Sequence, residues 1–276
     1  MRSCPEPIRN STADYDKCVT RSYRPKKTSL QNRRGSVLAH YGSYPPGGGR
    51  PHLVPQSGGW PAQEAGWQRS LYDQTYEGGW LEDIRAAVLG AAKGRCLLCS
   101  VSQPRTLDHF LPQESWPSLS VLTANLIAAC ADCNRNKGAL ANANLAQQFV
   151  HPYLDAIPVT DIFLKCSPVI DGVMSPGFFV EPCEGSDGDL LDRLRWQFAT
   201  LELDERYREE AIIFFGERKD DWRESAEDSW VTLSQQITRE RSAAVRATGC
   251  NMWKPAFLQG LLDCQHFAAE PLAFVG

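Results

Sequence analysis

Residues 96–137 read CLLCSVSQPRTLDHFLPQESWPSLSVLTANLIAACADCNRNK. The four cysteines stand as Cys96-x2-Cys99-x30-Cys130-x2-Cys133. A C-x-x-C step turns two thiolates toward one point. Two such steps supply the four ligands of a closed tetrahedral zinc site, with no position left open for substrate. The spacing therefore predicts a structural Zn²⁺. Two unrelated thiol pairs, one of them redox-active, are the alternative, and the paired spacing counts against it. Such a zinc contributes on the order of 10 kcal/mol to folding, enough to hold together a segment too small for a core of its own.

Inside this frame lie Leu107-Asp108-His109-Phe110-Leu111-Pro112 and Asn125-Leu126, and its last cysteine runs into Asn134-Arg135-Asn136-Lys137. The segments 105–109 and 126–129 are predicted as short strands and 131–143 as a helix. The loop between the strands is long and carries Trp116 and two prolines. The order C-x2-C, D-H-x-x-P, N-L, C-x2-C-N-x-x-K resembles the HNH nuclease family in its zinc-bearing form, over roughly residues 80–150. The resemblance implies a ββα-metal core. It makes Asp108 and Asn134 ligands of a catalytic Mg²⁺ or Mn²⁺ and His109 the general base. Asn125 would brace the loop that orients His109. Many members have His where this chain has Asn134, and the Asn form also occurs in the family.

The residue chemistry is consistent with that assignment. Phosphodiester hydrolysis needs an activated water, neutralised charge at phosphorus and help for the leaving oxygen. A neutral imidazole takes a proton from water. Asp108, one residue away along the strand, is expected on the other face, where its carboxylate can hold an ion. Oxygen ligands with open water positions suit Mg²⁺ or Mn²⁺. Singly, each residue has a structural reading: Asp108 as a strand-end cap, His109 as a surface histidine, Asn125 as a turn former, Asn134 as a helix cap. Their joint occurrence inside the zinc frame favours the chemical one. Lys137, Arg135 and Arg105 are the expected phosphate contacts. His151, in His151-Pro152-Tyr153, is read as a helix-ending surface turn, with a contact to the site's own residues or to substrate as the lesser reading.

Outward from this segment, residues 1–79 are expected to be an extended basic arm. Eleven of the twenty residues from Gly42 to Pro61 are Gly or Pro, which resists regular structure. Residues 1–60 hold ten Lys/Arg against three Asp/Glu, a distribution that can track phosphates or simply be solvated. A helix is predicted over 81–93 from Leu81, Ile84, Val88 and Ala91 on one face. Residues 151–276 are expected to form an α+β domain that docks a partner or positions substrate. It would hold a small sheet over 157–182, helices over 187–248 and a last short helix near 255–264. The fold class is thus α+β: an HNH core, an N-terminal arm and a mostly helical C-terminal region. The stripe Leu190, Leu191, Leu194, Phe198, Leu201 reads as core.

No apolar run approaches the ~20 residues of a membrane span, and no signal-peptide core follows Met1, so a soluble cytoplasmic protein is expected. The six cysteines outside the frame read as ordinary thiols, mostly buried. The net charge of −4 is unusual for a free-standing nucleic-acid binder. The expected activity is cleavage of DNA, with RNA such as tRNA as the alternative substrate. A non-catalytic zinc-built module that binds nucleic acid or protein is the reading from another class. The acidic body and large C-terminal region look like the HNH subunit of bacterial phage-defence systems of the Septu kind. That resemblance implies control by a partner protein, an ATPase.

Overall fold

The computed structural model describes residues 3–170, 172–183 and 188–276. Residues 1–2 of the expected arm, 171 of the expected sheet and 187 of the expected helical stretch lie outside it. The protein is α+β, with two separate two-stranded antiparallel sheets and many helices among the described residues. Two compact units divide it, Ser3–Ala156 and Ile157–Gly276. The division expected after residue 150 falls six residues later, and the one expected after 79 is absent.

The first unit overturns the expectation of an extended arm. Helices α1 (Ser11–Arg21), α2 (Lys26–Ser43) and α3 (Ala62–Arg69) occupy much of residues 1–79. The Asn10 side chain caps α1 by accepting from Ala13 N at 3.0 Å, the usual role of Asn at a helix start. On α2, Leu30, Val37 and Tyr41 fall on one buried stripe at helical spacing. The Tyr15 hydroxyl on α1 donates to Leu30 O at 3.1 Å, and its ring meets the edge of Tyr41. Glycine and proline density misled because it is confined to the 44–61 connection. The helical signal lies upstream, in aliphatic and aromatic residues spaced three, four and seven apart.

Helix α4 (Glu82–Ala91) forms where predicted, with Ile84 and Val88 buried and Glu82 and Asp83 in its first turn. Strands β1 (Thr106–His109) and β2 (Leu126–Ala129) pair antiparallel, with Asp108 opposite Ile127 and His109 opposite Leu126. Helix α5 (Ala131–Lys137) follows β2 directly. It stops six residues before the expected end because Gly138 takes φ +47°, beyond which the helix cannot continue.

The loop from Phe110 to Asn125 is packed rather than solvated. The Trp116 indole donates to Val54 O at 3.1 Å, Ser57 N donates to Ser115 O at 3.3 Å, and His40 Nδ1 stands 2.7 Å from Ser118 Oγ. The residues from α2 to Ser57 thus hold the loop from one side.

In the second unit a hairpin of β3 (Leu164–Ile170) and β4 (Val173–Val180) is followed by α6 (Gly188–Thr200), α7 (Leu203–Asp228), α8 (Trp230–Thr248) and α9 (Trp253–Asp263). Two short helices, Gln265–Ala269 and Pro271–Val275, end the chain. The predicted stripe of α6 is buried throughout. Phe214, Phe215, Trp222 and Phe257 meet edge to face where α7 and α9 pack. A Cβ on Gly260 would lie 2.4 Å from Cys166 O, so α9 approaches β3 as closely as it does only through that glycine. No helix among the described residues is long and apolar enough to cross a membrane.

Candidate active site

The four frame cysteines converge into one buried cluster, every Sγ within 4.8 Å of the others, and none of the chain's cysteines forms a disulfide. Local turns bring them there. After α4 the chain bends so that Ser100 N donates to Cys96 O at 2.8 Å and Val101 N points at Cys99 Sγ at 3.5 Å. Ser100 takes φ +62° in that turn. Cys130 is the residue before α5 and Cys133 lies in its first turn, where the helix N-terminus favours thiolates. Zinc–sulfur bonds of about 2.3 Å set a sulfur–sulfur edge of about 3.8 Å in a regular tetrahedron. Cys99 Sγ and Cys130 Sγ stand 3.8 Å apart. The cluster can therefore hold a metal ion, and its dimensions are consistent with zinc.

Beside the frame, β1 ends in Asp108 and His109, both less than a tenth exposed. The His109 Nε2 lies 2.9 Å from Ser120 O. A carbonyl can only accept, so the proton sits on Nε2 and the Nδ1 lone pair is available. Burial pushes the imidazole pKa down to about 4; the Ser120 carbonyl opposes this and the nearby Lys137 charge adds to it. His109 is therefore neutral at pH 7. An approaching phosphate anion would raise its basicity again.

Lys137 departs from its expected role. It is fully buried, its ammonium donating to His109 O at 2.7 Å and standing 3.1 Å from Asp108 Oδ2. It is a structural counter-charge rather than a phosphate contact, because α5 turns its side chain inward against β1. Burial raises the Asp108 carboxyl pKa, and Lys137 pulls it back. Asp108 Oδ2 is buried against that ammonium.

Asp108 and His109, adjacent on the strand, both line one polar cavity of about 320 Å³, with Tyr72, Tyr76, Gln113 and Asn134 among its other walls. The cavity wraps the strand end, where the Pro112–Glu114 turn folds back beside His109. The Asn134 amide nitrogen reaches Thr106 Oγ1 at 3.5 Å, which leaves its oxygen as an acceptor. The Asp108 carboxylate and the Asn134 amide oxygen line one cavity, and hard oxygen donors of this kind suit a divalent cation. The ammonium beside Asp108 weakens that affinity relative to a lone carboxylate. Mn²⁺ is expected to raise the melting temperature of the zinc-loaded protein and to leave Asp108→Ala unchanged. Equal shifts in a thermal melt would remove Asp108 from the ligand set. Arg105 is exposed, and Arg135, also exposed, pairs with Asp132 at 3.1 Å one turn away.

Asn125 is fully buried and spans the loop. Its Oδ1 accepts from Leu111 N at 2.8 Å, and its Nδ2 donates to Leu111 O at 3.1 Å and Leu119 O at 3.4 Å. His151 is not a surface turn. It is fully buried, with Nε2 3.0 Å from the Tyr44 hydroxyl and its ring 4.1 Å from that of Phe110. Sequence reasoning missed Tyr44, Tyr72 and Ser120. Tyr72 donates to Leu107 O at 2.6 Å and its ring lies 4.6 Å from His109. The only sequence signal for the two tyrosines was the recurrence of aromatic residues in an otherwise Gly/Pro-rich stretch.

The chain is similar to two curated proteins over part of its length. Protein ea31 of Escherichia phage lambda is 35% identical over 125 residues, 42% of this chain and 40% of that protein. Septu protein PtuB of Bacillus thuringiensis is 29% identical over 77 residues, 26% of this chain and 29% of that protein. The matches thus span less than half of either relative. No family model and no solved structure matches the chain.

Proposed function

We propose that the protein is a metal-dependent endonuclease of the HNH kind, built on a ββα-metal core and acting in a phage-defence system related to Septu. The observation that carries the reading is one cavity lined by a neutral histidine with one ring nitrogen engaged, a buried carboxylate and a side-chain amide. Asp108 and Asn134 would hold Mg²⁺ or Mn²⁺, which when bound supplies charge neutralisation at the phosphate. His109 Nδ1 takes a proton from water as the water oxygen bonds to phosphorus. The bond from phosphorus to the 3′ oxygen breaks, and that oxygen gains a proton from solvent. The products carry a 5′-phosphate and a 3′-hydroxyl. The partial similarity to PtuB supports the defence setting.

Water is the nucleophile, so a 2′-hydroxyl is neither required nor forbidden; DNA is the leading substrate by the family resemblance, and the same groups can cut RNA. The residues 157–276 hold no cluster of potential metal ligands among those described, and we assign this unit to docking a partner subunit, an ATPase by analogy with Septu, or to positioning substrate. The test is a panel of plasmid DNA and tRNA with Mg²⁺ or Mn²⁺, comparing wild type with His109→Ala. Removing the base is expected to lower cleavage at least ~10²-fold. Equal rates, or nucleic-acid binding without cleavage under either metal, would overturn the nuclease reading and leave a binding module.

A further inference from the structure

We propose that Tyr44 and His151 are positioning residues for His109, acting through Asn125; the inference rests on the reading of His109 as the general base. Three buried polar groups from distant parts of the chain form one directed line. His151 Nδ1 accepts from Tyr153 N at 3.1 Å, so its proton is on Nε2, which donates to the Tyr44 hydroxyl at 3.0 Å. The hydroxyl's own proton is then directed to Asn125 Oδ1 at 2.9 Å. Every donor in the line has one acceptor, and the line fixes which way the Asn125 amide faces.

That orientation matters because Asn125 grips both sides of the base. Its two amide ends hold Leu111, two residues after His109. Its nitrogen also holds Leu119, next to Ser120, whose carbonyl takes the His109 Nε2 proton. Turning or loosening the amide shifts the ring and the carbonyl relative to one another, and with them the tautomer that leaves Nδ1 free. The N-terminal helical segment, through Tyr44 just past α2, is thereby part of the catalytic apparatus.

Close packing holds the line in place. Gly49 takes φ +65°, and a Cβ there would lie 2.5 Å from His151 Cδ2 and 3.0 Å from the Tyr44 oxygen. His151 is wedged between the Tyr44 and Phe110 rings, which leaves it no alternative rotamer space on those sides.

The experiment uses the full-length zinc-loaded chain and the variants Tyr44→Phe, His151→Ala, His151→Gln and Gly49→Ala. The first readout is the ¹H–¹⁵N imidazole signal of His109, identified by its loss in His109→Ala. It is expected to shift in Tyr44→Phe, His151→Ala and Gly49→Ala and to return toward wild type in His151→Gln, whose amide N–H replaces the lost donor. The second is cleavage of the preferred substrate of the panel. There kcat is expected to fall about 10- to 100-fold in the first three variants with KM unchanged. A merely structural role would lower melting temperature while leaving kcat per folded molecule and the His109 signal as in wild type, and that outcome overturns the proposal. If wild type cleaves nothing, the nuclease reading fails separately. The imidazole signal still decides the positioning, an unmoved signal in Tyr44→Phe overturning it.

Discussion

Cys130→Ser is expected to release the metal and unfold most of the unit formed by residues 3–156. A structural zinc on four thiolates contributes on the order of 10 kcal/mol, comparable with the whole stability of a domain, roughly 5–15 kcal/mol. The frame also sits at a structural junction. Leu97 N, inside the first cysteine turn, donates to Ala128 O on β2 at 2.9 Å, and Arg105 N, just before β1, donates to Ala129 O at 3.2 Å. Cys130 precedes α5 and Cys133 is within it. Without the ion, four thiols remain crowded in a buried site, and α5, seven residues long, is too short to persist alone. Asn134 would leave the cavity wall with it, and Lys137 would leave Asp108. The checks are metal analysis of the purified protein and a denaturation curve. One zinc per wild-type chain and none in Cys130→Ser, with loss of the cooperative transition of this unit, is expected. A metal-free wild type of full stability would sink the assignment.

Lys137→Met is expected to cost about 3–5 kcal/mol, the loss usual when one partner of a buried ion pair is removed. Both charges are buried, and Lys137 also satisfies the His109 carbonyl at 2.7 Å. With the ammonium gone, Asp108 must ionise without a counter-charge or take up a proton. Either path destabilises the folded state at neutral pH. The expected partition is testable by adding Asp108→Asn. The double variant should recover the share due to the stranded carboxylate and retain about 1–3 kcal/mol for the orphaned carbonyl. Urea denaturation of the four forms gives the cycle. A single Lys137→Met within about 0.5 kcal/mol of wild type, the range of an ordinary surface change, would mean that the lysine is exposed in solution and available to a phosphate after all.

The lysine shows where the reading of residue types stops. Its place four residues after Cys133 is visible in the sequence, and so is its charge. Whether the ammonium faces solvent or the strand depends on which side of α5 lies against β1, and a seven-residue helix with few apolar positions carries no stripe to decide that. His151 is a similar case: a histidine beside a proline has the local signature of a turn, and the groups that bury it come from residues 44, 49 and 110. The arm failed for a related reason. Local Gly and Pro density was given weight over the whole of 1–79, although Leu30, Val37 and Tyr41 carried a helical period within it.

The sequence by itself determined the features that spacing encodes over a few residues: the paired cysteine steps, the Leu126–Ala129 strand, the helix ahead of Cys96 and the buried stripe of α6. In each the periodicity of the backbone makes near neighbours share a face or a ligand. Only the tertiary structure decided that Asp108 and His109 share one cavity, that Lys137 is the internal partner of Asp108, and that Tyr44 and His151 reach Asn125. The Lys137 ion pair and the two Tyr44 hydrogen bonds join residues 29 to 107 positions apart. A hydrogen bond over such a separation is set by how whole elements pack, and no local pattern records it.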